Sequence, residues 1–113
     1  GNPLASVVAT ESLQIIIDEN LCKNSYIKGL QFRSEINNMY KNFIIECRGK
    51  GLLNAIEFES NEIAEKFCFE LLNNGIISKT THGNIVRLSP PLNINHFELN
   101  QSLDIIYDSL NNI

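Results

Sequence analysis

Arg87 is the residue of this chain best suited to chemistry. The stretch Ile85-Val86-Arg87-Leu88-Ser89-Pro90-Pro91-Leu92 sets a lone arginine in an apolar strand and stops that strand with two prolines. A guanidinium cannot shed its charge when desolvated, so Arg87 is expected to meet an anion, and its planar fork suits a bidentate carboxylate best. Pro90 and Pro91 fix φ and remove two donors, which ends the ladder and holds the strand's exit rigid. The competing reading is a solvated edge or a structural ion pair, and spacing alone leaves both open.

The other candidates read as structural. His82 lies in the turn Thr80-Thr81-His82-Gly83-Asn84 and is expected to be solvated or bonded to backbone. His96 falls at a helix N-terminus, and neither histidine has further ligands at metal spacing, so no metal site is expected. Cys22, Cys47 and Cys68 have no neighbouring base, which argues against a catalytic thiol. Glu57 and Glu59 share a strand face, the pattern of a solvated side more than of an acid/base pair. Asn54 alternates inward with Leu52, Ile56 and Phe58, where a buried amide needs hydrogen-bond partners and is structural. The Gly49-Lys50-Gly51 turn joins two strands and opens no helix, so it lacks the geometry that cradles a phosphate.

These residues need a frame. Asn2 and Pro3 start a helix that runs from Leu4 to Ile17 without a breaker. It is apolar on most sides, a pattern normally buried all round. So small a domain could hardly cover it, which implies a neighbour: a preceding large domain or a second subunit. Asp18, Glu19 and Asn20 allow a restart into a second helix, with Leu21, Cys22, Tyr26, Gly29, Leu30, Phe32 and Ile36 as its stripe. Strands follow at 43–48 and 52–58. A third helix, capped by Ser60 or Asn61, ends at Gly75. Extended structure over 76–79, a turn over 80–84 and a returning strand over 85–88 form a hairpin. Ile94, Asn95, Glu98 and Leu99 have the spacing of a capping box with a hydrophobic staple, and open a last helix buried through Leu99, Leu103, Ile106 and Leu110. The fold class is α+β: a small, mostly antiparallel sheet covered by helices.

With 113 residues the chain can bury roughly two-thirds of its unfolded surface around one core. Hydrophobic residues at 43% and charged residues at 19% are ordinary globular values. The formal charge of -4, without a basic run or interleaved aromatics, gives no footprint for nucleic acid. No apolar run approaches the ~20 residues that span a bilayer, so no membrane partner is expected. The 3 cysteines, odd in number and far apart, read as reduced side chains packing as small hydrophobes in a reducing compartment. Opening on Gly1-Asn2-Pro3, the chain reads as the tail of a longer protein.

Three ordered blocks carry a family resemblance: Gly1-Asn2-Pro3-Leu4-Ala5, then Arg48-Gly49-Lys50-Gly51-Leu52-Leu53-Asn54-Ala55-Ile56, then Lys79-Thr80-Thr81-His82-Gly83 running into Arg87-Leu88-Ser89-Pro90-Pro91-Leu92. Together they resemble the end of the ornithine aminotransferases, within the class III aminotransferases that use pyridoxal 5'-phosphate. Ser89 stands where alanine is common and Thr80 where proline is common. The resemblance implies the C-terminal small domain of a fold-type I transferase, with residues 1–20 as an inter-domain linking helix and residues 21–113 as the small α+β domain. It also implies a homodimer that passes the terminal amino group of ornithine to 2-oxoglutarate, giving a semialdehyde and glutamate. Arg87 would bind the distal carboxylate region of the dicarboxylate, glutamate or 2-oxoglutarate, as the motif's substrate-binding residue. The Schiff-base lysine and the cofactor-binding residues would lie upstream, because none of the chain's lysines matches that motif. The chain alone is then expected to be inactive. Acetylornithine and 4-aminobutyrate stand as rival donors. The expected location is the cytoplasm, with the mitochondrial matrix as the alternative. Without the resemblance, the residues point to a stand-alone α+β module that binds a small carboxylate through Arg87. A purely structural dimerisation domain is a third reading.

Overall fold

The structure is a computed structural model, and it describes residues 1–39 and 41–113. Helix α1 (Pro3–Asp18) begins where Asn2 Oδ1 accepts hydrogen bonds from the Leu4 and Ala5 amides at 2.9 and 3.4 Å. The left-handed Asn20, at φ 55°, breaks the helical path, and α2 (Leu21–Asn38) restarts beyond it. Helix α1 contributes no buried residue and leans on α2 alone among the elements. The radius of gyration is accordingly 16.0 Å, against about 13 Å for a compact domain of this length.

Strands β1 (Ile44–Lys50) and β2 (Leu53–Phe58) form a hairpin, α3 (Asn61–Asn73) follows, and β3 (Lys79–Thr81) and β4 (Ile85–Leu88) form a second hairpin before α4 (His96–Asn111). The sheet order is β1-β2-β4-β3, with every neighbouring pair antiparallel. Alternation along the strands decides what is covered. Asn54, Ile56 and Phe58 on β2 and Val86 and Leu88 on β4 are buried, while Leu53 and Arg87 are exposed. Helices α2 and α3 lie on the buried face, and α4 packs across both of them. Phe58 is central, with its ring centroid 5.1 Å from Phe67 and 6.3 Å from Phe43.

Local chemistry sets the helix ends. Helix α3 closes with Gly75 at φ 96°, where the Ile76 amide donates to Leu71 O and the Gly75 amide to Leu72 O; this paired pattern satisfies carbonyls the helix leaves free. Helix α4 carries the expected capping box between Asn95 and Glu98 and buries Leu99, Leu103, Ile106 and Leu110.

Several boundaries and faces differ from expectation. Gly49 and Lys50 belong to β1, so the turn is Gly51-Leu52. Ile76-Ile77-Ser78 is not strand, since Ile76 finishes the cap of α3, and β3 begins at Lys79. On α2 the expected Leu21, Gly29, Phe32 and Ile36 are buried, with Lys28 beside them, whereas Cys22, Tyr26 and Leu30 are exposed. The reason is that Gly29 lies against the Gly51 turn, and this contact fixes which side of α2 meets the sheet.

Of the cysteines, Cys47 packs as a small hydrophobe, Cys68 is half-buried and Cys22 is exposed. Burial pushes the Cys47 thiol up to about 11 from 9.0, with Glu46 adding to the rise and Arg33 and Arg48 opposing it. Because the folded value is the raised one, the stability it contributes is full below 9.0 and declines as pH climbs towards about 11. Iodoacetamide at pH 9.0 should therefore leave Cys47 unmodified in the native protein and alkylate it after denaturation; native labelling at that pH would contradict this environment.

Candidate functional site

The open face of the sheet carries the site. Arg87 on β4 is paired in register with Ala55 of β2 on one side and Lys79 of β3 on the other, and Ala55 is paired in turn with Arg48 of β1. Direct cross-strand partners share a face, so Arg48, Ala55, Arg87 and Lys79 form one row. Arg48 is already ion-paired: its Nη1 donates to Glu57 Oε2 at 2.5 Å and to Glu46 Oε2 at 2.9 Å. Those two bonds, Glu57's first, raise its pKa further above the ordinary arginine value. Arg87 is exposed and makes no side-chain hydrogen bond or ion pair among the described residues. The anion expected for it is thus not supplied by the described part of this chain, and its neighbour Ala55 leaves the guanidinium unobstructed on that side.

The backbone under Arg87 is pinned at both ends. Towards the turn, Asn84 Nδ2 donates to Phe58 O at 2.8 Å and the Phe58 amide donates to Asn84 O at 2.9 Å. The turn itself uses His82 at φ 54° and Gly83 at φ 85°. Beyond the prolines, Asn24 of α2 donates to Leu92 O at 2.6 Å and Ile94 O at 3.1 Å. A residue held from both sides of its strand is pre-organised for binding.

The remaining candidates do not converge on Arg87. His82 is exposed at the tip of the turn and His96 is exposed at the start of α4. Glu57 is bound to Arg48, and Glu59 is exposed past the strand end. Asn54 is 1% exposed on the opposite, covered face, and its Oδ1 accepts from Arg33 Nη1 at 2.7 Å. Arg33, missed in the sequence reading, also donates to Gly51 O at 2.8 Å, so the Gly-x-Gly turn serves as a docking point for α2. The available signal is three residues spaced four apart, Ser25, Gly29 and Arg33: two small residues that admit a close backbone, then a donor fork.

A half-open sheet with an exposed arginine, in a chain that also carries a long apolar helix without cover, suits one part of a larger assembly. Residues 1–110 match the aminotransferase class-III family, and the chain belongs to that family. It is 43% identical to the mitochondrial ornithine aminotransferase of Arabidopsis thaliana, over 97% of this chain and 25% of that protein. Its fold superposes on the ornithine aminotransferase of Toxoplasma gondii with a TM-score of 0.94 at 36% identity, covering 98% of this chain and 27% of that one. The acetylornithine aminotransferase of Elizabethkingia anophelis gives 0.95 at 39% identity over 99% of this chain and 30% of that one. The chain spans about a quarter of the length of the curated relatives it matches.

The family implies pyridoxal phosphate, and among the described residues the donors at three helix N-termini and on two lysines are already engaged within the chain. Asn2, Ser60 and Asn95 already occupy the N-terminal amides of α1, α3 and α4. Lys28 is buried against Asn24, and Lys41 donates to Asn111 at 2.5 Å. Among the described residues no helix is long and apolar enough to cross a membrane.

Proposed function

We propose that this chain is the C-terminal part of an ornithine aminotransferase and that Arg87 binds the distal carboxylate of its dicarboxylate substrate. In this reading residues 1–20 link a large domain to the small domain of residues 21–113, and the enzyme works as a homodimer. It moves the terminal amino group of ornithine to 2-oxoglutarate, giving glutamate semialdehyde and glutamate. Pyridoxal phosphate, held by residues outside this chain, supplies the electron sink when bound. Arg87 orients the acceptor through a bidentate, charge-assisted contact that a monocarboxylate lacking the distal group cannot make. The chain alone has no activity. Relatives named mitochondrial set the matrix beside the cytoplasm as the location.

The observation that carries this reading is the exposure of Arg87, unpaired among the described residues, on a strand pinned at both ends. The self-contained module reading requires α1 to be covered by its own chain. Its Leu4, Val7, Leu13 and Ile17 are all at least 62% exposed, an apolar surface that calls for cover from elsewhere.

The test is made on the enzyme that carries this chain. Ornithine should bleach the visible absorbance of the bound cofactor, and 2-oxoglutarate should restore it. Acetylornithine and 4-aminobutyrate should act far more slowly. An absorbance that ornithine leaves unchanged would refute the donor, and the lack of any such band would refute the enzyme reading.

A further inference from the structure

We infer that Asn74 is a deamidation site that the fold keeps closed, so that its conversion to aspartate or isoaspartate marks molecules in which the end of α3 has come away from α4. This modification site is independent of the substrate role of Arg87.

Asn74-Gly75 is the sole Asn-Gly pair in the chain. A glycine after an asparagine leaves the next backbone nitrogen unshielded, and a Cβ built on Gly75 would meet nothing within 4 Å. In the reaction the Gly75 amide gives up its proton and its nitrogen attacks Asn74 Cγ. A new C–N bond forms there, the carboxamide C–N bond breaks, ammonia leaves with the proton, and a succinimide remains. Water then opens the ring at either carbonyl, giving aspartate or isoaspartate.

The fold opposes the first step from both sides. Asn74 Nδ2 donates to Glu70 O at 2.9 Å, one turn back along α3, and to Ser109 Oγ of α4 at 3.2 Å. Ser109 is 0% exposed, so the carboxamide is drawn towards the contact between the helices and away from the residue that follows it. The nucleophile is engaged too. The Gly75 amide donates to Leu72 O at 3.2 Å, and the Ile76 amide behind it donates to Leu71 O at 2.8 Å. Bringing Gly75 N onto Asn74 Cγ requires both carboxamide bonds and the Gly75 bond to open together, which is local unfolding of the end of α3.

The product does not fit back. An aspartate oxygen in place of Nδ2 faces the Glu70 carbonyl, acceptor against acceptor, and sets a negative charge at the negative end of the α3 dipole. Isoaspartate adds a methylene to the backbone and carries Gly75 and Ile76 off their carbonyls. The opening that permits the reaction is thereby made lasting.

The complete enzyme and a free peptide of residues 67–79, the segment between the tryptic cleavage points after Lys66 and Lys79, are incubated side by side in mildly alkaline buffer. Aspartate and isoaspartate at position 74 are then measured by mass spectrometry. The folded enzyme should react at least about tenfold more slowly than the peptide, the ratio being set by how seldom the end of α3 opens. Ser109→Ala, which removes one of the two acceptors, should close part of that gap. Asn74→Asp should exchange its Gly75 and Ile76 amides about tenfold faster than wild type. In the unaltered enzyme the rate should climb in step with hydrogen exchange at Gly75 as urea is raised below the unfolding transition, a comparison that needs no variant to fold. Equal rates in enzyme and peptide would overturn the inference. So would a Ser109→Ala enzyme that reacts no faster, or a rate that stays flat while exchange at Gly75 rises.

Discussion

Arg87→Ala should lower kcat/KM for 2-oxoglutarate by roughly a hundred- to a thousand-fold, while the enzyme still takes the amino group from ornithine. A charge-assisted, bidentate contact is worth about 3 to 4 kcal/mol when lost to a truncated side chain, and each 1.4 kcal/mol is about tenfold. The loss should fall on the half-reaction with the dicarboxylate, because 2-oxoglutarate brings two carboxylates into the site where ornithine brings one. Stability should hardly change. Val86 and Leu88 keep β4 in the core, and the exposed guanidinium has no described partner to orphan, so the folding cost stays within about 0.5 kcal/mol. Single-turnover measurements of each half-reaction, beside a denaturation curve, separate these effects. Arg87→Lys, which keeps the charge but loses the fork, should recover only part of the rate. Equal losses in both half-reactions, or a marked loss of stability, would show that Arg87 supports the fold and not the acceptor.

What could be read without coordinates follows from the range of each interaction. The capping box of Asn95 and Glu98 and the stripe from Leu99 to Leu110 are local, and they stand as expected. The inward alternation of Asn54, Ile56 and Phe58 is local too. The strand that carries Arg87 is legible, ending one residue later at Leu88 ahead of the prolines, but the exposure of its side chain is not. Whether the face opposite the helices is covered depends on surfaces beyond the strand's own residues. The β3 boundary was misplaced because Ile76 and Ile77 look like strand residues by type, yet Ile76 is bonded into the end of α3 and Ile77 is 88% exposed. The stripe on α2 holds for Leu21, Gly29, Phe32 and Ile36 and is too wide at Cys22, Tyr26 and Leu30, because apolar type along a helix does not show that the close backbone approach at Gly29 turns those three away from the sheet. Register pairs such as Lys79 with Arg87 are tertiary facts, and no spacing rule along the chain brings those two residues together.

That close approach sets the largest expected effect on stability. A Cβ on Gly29 would lie 1.9 Å from Gly51 O and 2.5 Å from Gly51 C, both backbone atoms, so α2 and the β1–β2 hairpin must separate. Separation strains three hydrogen bonds at once: the Leu52 amide to Ser25 Oγ at 3.0 Å, Arg33 to Gly51 O at 2.8 Å, and Arg33 to Asn54 Oδ1 at 2.7 Å. Helix propensity pulls the other way, since alanine is favoured over glycine by about 1 kcal/mol inside a helix. The contact wins, because leaving a buried amide such as Asn54 without its donor costs about 1 to 3 kcal/mol, and the other two bonds add to that. Gly29→Ala should therefore destabilise by about 3 kcal/mol net in a denaturant titration, and a variant as stable as wild type would mean that propensity prevails. Arg33→Met should cost a similar amount, and the double variant should lose less than the sum, since both changes act on one contact. The effect reaches the site as well. The hairpin that shifts carries Ala55, the register partner of Arg87, so Gly29→Ala should also raise KM for 2-oxoglutarate although the residue lies on the far side of the sheet.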